Sequence, residues 1–507
     1  MPAPETPQEG SRYRWVPLAA LVIVLLSLLP LLPEPYYPRF DSGAYLTAAR
    51  ALAEGQGYIE LQHPDQPKFV LYPPLYSISL SIPLSMSTDS ISLLRLPGVV
   101  CLIGVLIFTM GFRERPPLYV ALSVLMVGFS NLLSFSVRLQ SEIMLSVFVC
   151  GMAWSMEHSR KANWSLKSPW TSAVILMGSL AILSRNQGVF VIISVWLYAL
   201  IESSATQRRA ALARATGIAT ILSTIFLLWL FWSEHLELIS PTESSLLWKD
   251  WHAPSQGRRD VLSIDFFQTA AISAGEIACK YIPDSFIASD IFLDQVAPPW
   301  ALFIPIALLV LLGFTRSLFI RRDATIYLFI ANSALVSFLP PQGTRYRMPV
   351  VPFLVWWFLD GVELMLSRFL DETQTRIGVY GTGGLVVAVQ LSFASQLNQV
   401  VDQWDPRGHL AAPVEIIERR IPQDAPLFVL DHYGLSAQTG RKAFSYIPGE
   451  QKSPPGYHVA DYLAEGRPID FAIVFAPHLP ATRALWQGFG YTAVQVDLIN
   501  DFIYVFA

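Results

Sequence analysis

A carboxylate placed to act as a base opens the first loop of this chain. Asp41 lies in RFDSGAYLTAARALAEGQGY, a few residues beyond an N-terminal apolar stretch, and YPPLYSISL follows within about fifteen residues. An Asp at a helix start can accept from the exposed N–H groups of the first turn. Such donors favour the ionised form of a carboxylate, the form a general base needs. The same placement would also serve as a helix cap alone, and the two roles are compatible.

Cations come next. In TRYRMPVVP, residues 344–352, Arg345 and Arg347 flank Tyr346. A planar guanidinium grips phosphate oxygens in a bidentate way that an ammonium cannot copy; the plainer alternative is a Tyr/Arg anchor at a membrane interface. Glu142, in RLQSEI, and Arg185, in LSRNQGVF, stand at the edges of further apolar stretches. One carboxylate there can orient a hydroxyl, or it can simply help start a helix. An Arg at membrane depth is expensive and usually functional, whereas one near an edge can snorkel. The Ser-Glu pair is not an Asp-x-Asp, so a divalent cation has no support and no metal ligand set or other cofactor is expected. His63, Lys68, Tyr72 and Tyr76 lie in or just after the first loop as possible substrate contacts.

The elements that must position these groups follow from composition. Of 507 residues, 53% are hydrophobic and only 15% charged, against about 25% charged in soluble domains. Apolar segments recur that are long enough to cross about 30 Å of hydrocarbon as helices. About eleven spans are predicted, near 15–33, 92–112, 117–137, 143–157, 169–184, 188–201, 215–233, 300–315, 323–339, 349–366 and 376–395. The first reads as a retained anchor after a cytoplasmic tail, 1–14, because no small-residue cleavage site follows it. Arg113 and Arg115, Arg160 and Lys161, Arg208 and Arg209, Arg316 and Arg321, and Arg368 fall in alternate short loops, which the charge rule places inside. The outer loops 34–91 and 234–299 and the tail from 396 then face the other side. Three cysteines give neither a disulfide framework nor a metal spacing, and no basic tail suggests nucleic acid.

Residues 43–54 suit a helix in the interface. Residues 72–86 suit a second half-buried helix, with Pro73 and Pro74 near its start, where a missing N–H costs little. In the tail, APLFVLD, DFAIVFAP, YTAVQVDLI and DFIYVFA read as buried strands, with helical stretches near 411–420 and 457–465. Residues 396–507 are therefore expected to form a small extracytoplasmic α/β domain. It has no Gly-rich phosphate loop.

The order of Asp41, a Gly-flanked amphipathic helix and paired prolines, with Arg185 and the Arg-Tyr-Arg turn, resembles the GT-C glycosyltransferases. These are multi-pass enzymes that take a sugar from a polyprenyl-phosphate carrier. The likeness is nearest to the bacterial polyprenyl-phosphate-mannose mannosyltransferase-like branch and more distant to the aminoarabinose transferases. In those, a Lys stands beside the proline that opens the helix after the first loop; Tyr72 is the neighbour here, so a lipid A-specific role is not expected. The resemblance implies a GT-C-like helical membrane domain over 15–395 with its site facing the extracytoplasmic side of the plasma (inner) membrane. It implies Asp41 as the catalytic base, Glu142 as a second acid, and Arg185, Arg345, Tyr346 and Arg347 at the donor phosphate. The reaction would be inverting transfer of a hexose or pentose to a glycan, lipid or protein acceptor. The competing readings are a transporter or lipid flippase, and a ligase or oligosaccharyltransferase using a lipid-diphosphate donor.

Overall fold

The computed structural model describes residues 13, 15–32, 40–61, 66, 68–69, 71–86, 90–204, 206–239, 282, 300–338 and 344–403, with five short strands beyond them. The first helices are α1 (Val16–Leu28), α2 (Phe40–Ala53), α3 (Leu75–Met86), α4 (Ile91–Gly111), α5 (Pro117–Gly128), α6 (Asn131–Val137) and α7 (Glu142–Lys161). They are followed by α8 (Pro169–Ser184), α9 (Phe190–Glu202), α10 (Arg208–Ile239), α11 (Trp300–Arg316), α12 (Ala324–Phe338), α13 (Val351–Leu366) and α14 (Glu372–Gln403). A helix thus stands wherever an apolar span is predicted, with α5 and α6 sharing one.

Among the described residues, four stretches are long and apolar enough to cross a membrane: Ser92–Gly111, Arg208–Ser233, Ile304–Arg321 and Arg345–Leu366. The pair α5 and α6, bent by 54°, makes a fifth if it is one span. Other apolar helices run only 10–17 residues, less than the roughly 20 that a straight crossing needs. The expected count of about eleven crossings therefore goes beyond what helix length alone supports. Apolar side chains on the outside of the bundle agree with a lipid solvent: Leu227, Leu228, Leu308 and Leu311 are each more than half exposed. Soluble surfaces avoid large patches of this kind. The chain is a multi-pass membrane protein.

Two compact units divide the chain. The first comprises Met1–Glu34, Arg95–Leu228 and His252–Asn398. Within it α1 packs on α5, α7 on α8, α9 on α12 and α11 on α13. Small residues permit the closest approach: a Cβ on Gly313 would lie 1.7 Å from the Trp357 carbonyl oxygen, and one on Gly361 1.9 Å from that of Leu309. Backbone contact of this kind, rather than the hydrophobic effect, holds helices together in lipid. Near the start of the bundle, Arg95 donates to the Leu31 and Leu32 carbonyls at the end of the first helical segment.

One end of this unit is closed by charge. Asp360, fully buried on α13, accepts from Arg113 (2.8 Å), Arg115 (2.5 Å), Arg321 and the Tyr119 hydroxyl (3.0 Å). Arg113 also reaches Asp323 at 2.7 Å, and Glu363 receives Arg316 at 2.8 Å. Burial disfavours the charge on Arg113, but Asp323 and Asp360 outweigh it and hold the group above its ordinary pKa. The arginines predicted to mark the inner loops are thus largely neutralised where they gather.

The second unit comprises Pro35–Leu94, Trp229–Trp251 and Gln399–Ala507. In it α2 packs on α3. Opposite faces of α3 bury Tyr76, Leu80 and Leu84 and expose Ile78, Ile82 and Met86, the half-buried helix expected there. Five strands, β1 (Leu427–Val429), β2 (Ala443–Ser445), β3 (Phe471–Val474), β4 (Ala493–Val494) and β5 (Tyr504–Phe506), form one sheet in the order β2-β1-β3-β5-β4. β1 runs parallel to β2 and β3, and β5 antiparallel to β3 and β4. Four strands fall inside the predicted runs and β2 is additional. The helical stretches near 411–420 and 457–465, and most of the loop 234–299, lie outside the described residues.

Candidate active site

In the first unit the charged groups gather at the N-terminal edge of α7. Glu142 is its first residue, 1% exposed. Arg185, 4% exposed, follows the last residue of α8. The chain leaves α8 in an extended conformation at Arg185 and enters a tight turn at Asn186–Val189. Gly188 makes the turn possible, since a Cβ there would lie 2.3 Å from the Ala181 carbonyl oxygen. The turn aims Arg185 across to α7: Nη1 lies 3.1 Å from Glu142 Oε1 and donates to the Ser141 hydroxyl at 2.9 Å. Among the described residues, none donates a hydrogen bond to either carboxylate oxygen of Glu142. A buried ion pair with so few supporting hydrogen bonds pays back little of its desolvation penalty.

The Arg-Tyr-Arg motif joins the same cluster. Thr344–Val350 forms a tight helical turn ahead of α13. The Arg185 guanidinium lies 5.4 Å from the Tyr346 ring centroid, within cation–π range. Arg345 donates to the Tyr346 hydroxyl at 3.1 Å, and Arg347 is 5% exposed within the turn. A buried amide pair fixes the backbone here: Gln187 donates to Asn332 at 2.7 Å and to the Tyr346 carbonyl at 2.5 Å. Neither amide stands out in the sequence; the available signal for Asn332 is a polar side chain within an apolar helix. Three cations and one carboxylate therefore share this corner, an excess of positive charge suited to an anion.

In the second unit Asp41 occupies the first turn of α2, half-buried. The helix dipole favours negative charge there. Its Oδ1 accepts from the Tyr72 hydroxyl at 2.6 Å. One turn beyond Asp41, Tyr45 is fully buried, with its ring 4.7 Å from that of Tyr72 and edge-on to that of Tyr76 at 4.9 Å. Tyr58 donates to the Tyr72 carbonyl at 2.8 Å and packs on buried Phe69. Burial raises the Tyr58 phenol well above its ordinary pKa, so it stays a donor. Lys68 is the exception among the loop residues: its Nζ stands 6.0 Å from the Trp232 ring. His63 lies outside the described residues. Among the described residues, no group of three or more His, Cys, Asp or Glu side chains is gathered to hold a metal.

No protein-family model matches the chain, and no curated protein sequence matches it. Solved structures do. ArnT from Cupriavidus metallidurans in the apo state superposes with a TM-score of 0.61 at 13% identity, covering 97% of this chain and 97% of that one. The same protein bound to undecaprenyl phosphate gives 0.59 at 13% identity, with 98% of each chain covered. The Archaeoglobus fulgidus oligosaccharyltransferase AglB, in complex with an inhibitory peptide and a dolichol-phosphate, gives 0.52 at 12% identity, over 93% of this chain and 71% of that one. The chain therefore shares the fold of ArnT and AglB along nearly its whole length.

Proposed function

We propose that this chain is a membrane glycosyltransferase that moves a sugar from a polyprenyl-phosphate donor to an acceptor hydroxyl. The observation that carries the reading is Asp41, held by a phenol at the start of α2 in a chain whose fold matches ArnT end to end. Structures of that protein with undecaprenyl phosphate, and of AglB with a dolichol-phosphate, support a lipid-linked donor.

In the proposed step Asp41 takes the acceptor O–H proton as the acceptor oxygen bonds to the anomeric carbon. The bond from that carbon to the phosphate oxygen breaks, its electron pair leaves with the polyprenyl phosphate, and the sugar inverts. Arg345, Arg347 and Arg185 stabilise the leaving phosphate, the contribution expected of preorganised donors. Glu142, whose carboxylate keeps unused acceptor capacity, orients a substrate hydroxyl. Hexose and pentose donors both fit this chemistry. The eleven apolar spans are read as membrane crossings, with the Asp360 cluster at the cytoplasmic end, the reactive groups at the extracytoplasmic face of the inner membrane, and the tail as a small α/β domain on that face.

The test is direct. Purified protein in detergent is offered radiolabelled sugars on a polyprenyl phosphate and on a polyprenyl diphosphate, each with candidate acceptors. Consumption of the monophosphate donor is expected. Consumption of the diphosphate donor alone would favour the ligase reading. Movement of lipid across vesicles with no sugar released from either donor would favour a flippase.

A further inference from the structure

Tyr72 was expected to contact substrate, yet its hydroxyl is aimed at the base. We propose that Tyr72 is a positioning residue: it acts through Asp41, fixing the orientation of the carboxylate that serves as the base. This deepens the proposed function and rests on Asp41 being the base.

The geometry specifies the role. At 2.6 Å from Asp41 Oδ1 the contact has the length of a charge-assisted O–H···O⁻ bond. The phenol is not free to turn elsewhere. Its ring lies against Tyr45, itself fully buried and braced by Tyr76. Its backbone carbonyl is tied by the Tyr58 hydroxyl at 2.8 Å. Phe69 packs edge-on against Tyr58 and donates its backbone N–H to the Tyr58 carbonyl at 2.9 Å. Pro73 and Pro74 follow directly, limiting the backbone on the C-terminal side. These constraints act on the ring and the main chain, and they keep the hydroxyl where it meets the carboxylate. A catalytic group held by a locked neighbour keeps its productive geometry without rearrangement during the reaction.

The test is a double-mutant cycle. Tyr72→Phe removes one oxygen and keeps the ring stack, so the fold should survive with only a small fall in unfolding temperature. Turnover should fall by about tenfold while the KM values for donor and acceptor stay put, because a positioning defect lowers the rate and not ground-state binding. In an Asp41→Asn background, Tyr72→Phe should have no further effect, since residues acting as one unit are not additive. A rise in KM, or a full multiplicative loss in that background, would show that Tyr72 touches substrate and would overturn the proposal. So would full activity in Tyr72→Phe alongside a crippled Asp41→Asn. Wild-type activity in Asp41→Asn is a different failure, that of the base assignment.

Discussion

Two buried carboxylates in the helical unit, Glu142 and Asp360, have the same exposure and opposite company. Asp360, 0% exposed, receives hydrogen bonds from three arginines and a tyrosine. Glu142, 1% exposed, has one ion contact at 3.1 Å and no protein hydrogen bond to either oxygen. They lie toward opposite ends of the bundle: Glu142 begins α7, while Glu157, near the other end of that helix, accepts from the backbone N–H of Ala324 beside Asp323. At 1.5 Å per residue the helix separates the two levels by roughly 20 Å. A carboxylate whose every lone pair is used is a structural tie. One kept under-supplied at a burial that costs this much is available to a ligand. The contrast makes Asp360 a structural tie and leaves the Glu142 end as the place where the proposed chemistry would sit.

The strongest way to break that contrast is at Asp360. Asp360→Asn leaves three arginines around a neutral amide, and removing one side of a buried ionic cluster typically costs about 3 to 5 kcal/mol. The variant should lose folded yield, or unfold at a clearly lower temperature in detergent. Unchanged thermal stability would show the cluster is not structural. Next come the phosphate cations. Arg345→Lys and Arg347→Lys keep the charge and lose the fork, and the more important of the two should lose about 2 to 4 kcal/mol of transition-state stabilisation. Near-normal turnover in both would reduce the motif to an interfacial anchor.

Glu142→Gln sharpens the comparison from the other side. Arg185 keeps its contacts with Ser141 and the Tyr346 ring, so the stability loss should stay below that of Asp360→Asn, at about 1 to 2 kcal/mol. Turnover should nevertheless fall by at least about tenfold. A variant as unstable as Asp360→Asn but still fully active would invert the assignment. The smallest effect belongs to Tyr58→Phe, which removes the hydrogen bond to the Tyr72 carbonyl and should lower stability by about 1 kcal/mol, read by thermal unfolding.

Hydropathy alone located the helices, because lipid-facing apolar runs are a signal local to the sequence. The Asp41 loop was readable for the same reason: carboxylate, amphipathic helix and paired prolines are contiguous. What was not readable was company across the fold. Arg185 and Ser141 are 44 positions apart, and only the packing of α7 on α8 joins them. Asp360 meets Arg113 and Arg115 across 247 and 245 positions. From sequence those arginines serve to orient loops, and nothing local to them points to Asp360. Tyr72, in the bend ahead of α3, meets Asp41 on α2 across 31 positions. β2, three residues long in a polar stretch, carries no alternation to reveal it.

The central claim is that Asp41 takes the acceptor proton, and Asp41→Asn tests it most directly. The amide keeps the size of the side chain and can still accept the Tyr72 hydrogen bond, so folding and donor binding should survive. It cannot take a proton, and transfer of labelled sugar from a polyprenyl-phosphate donor should fall at least about a hundredfold, within the range for general base catalysis. Measured beside an unchanged unfolding temperature, that loss is the result the account predicts; a stable Asn variant turning over at the wild-type rate would contradict it.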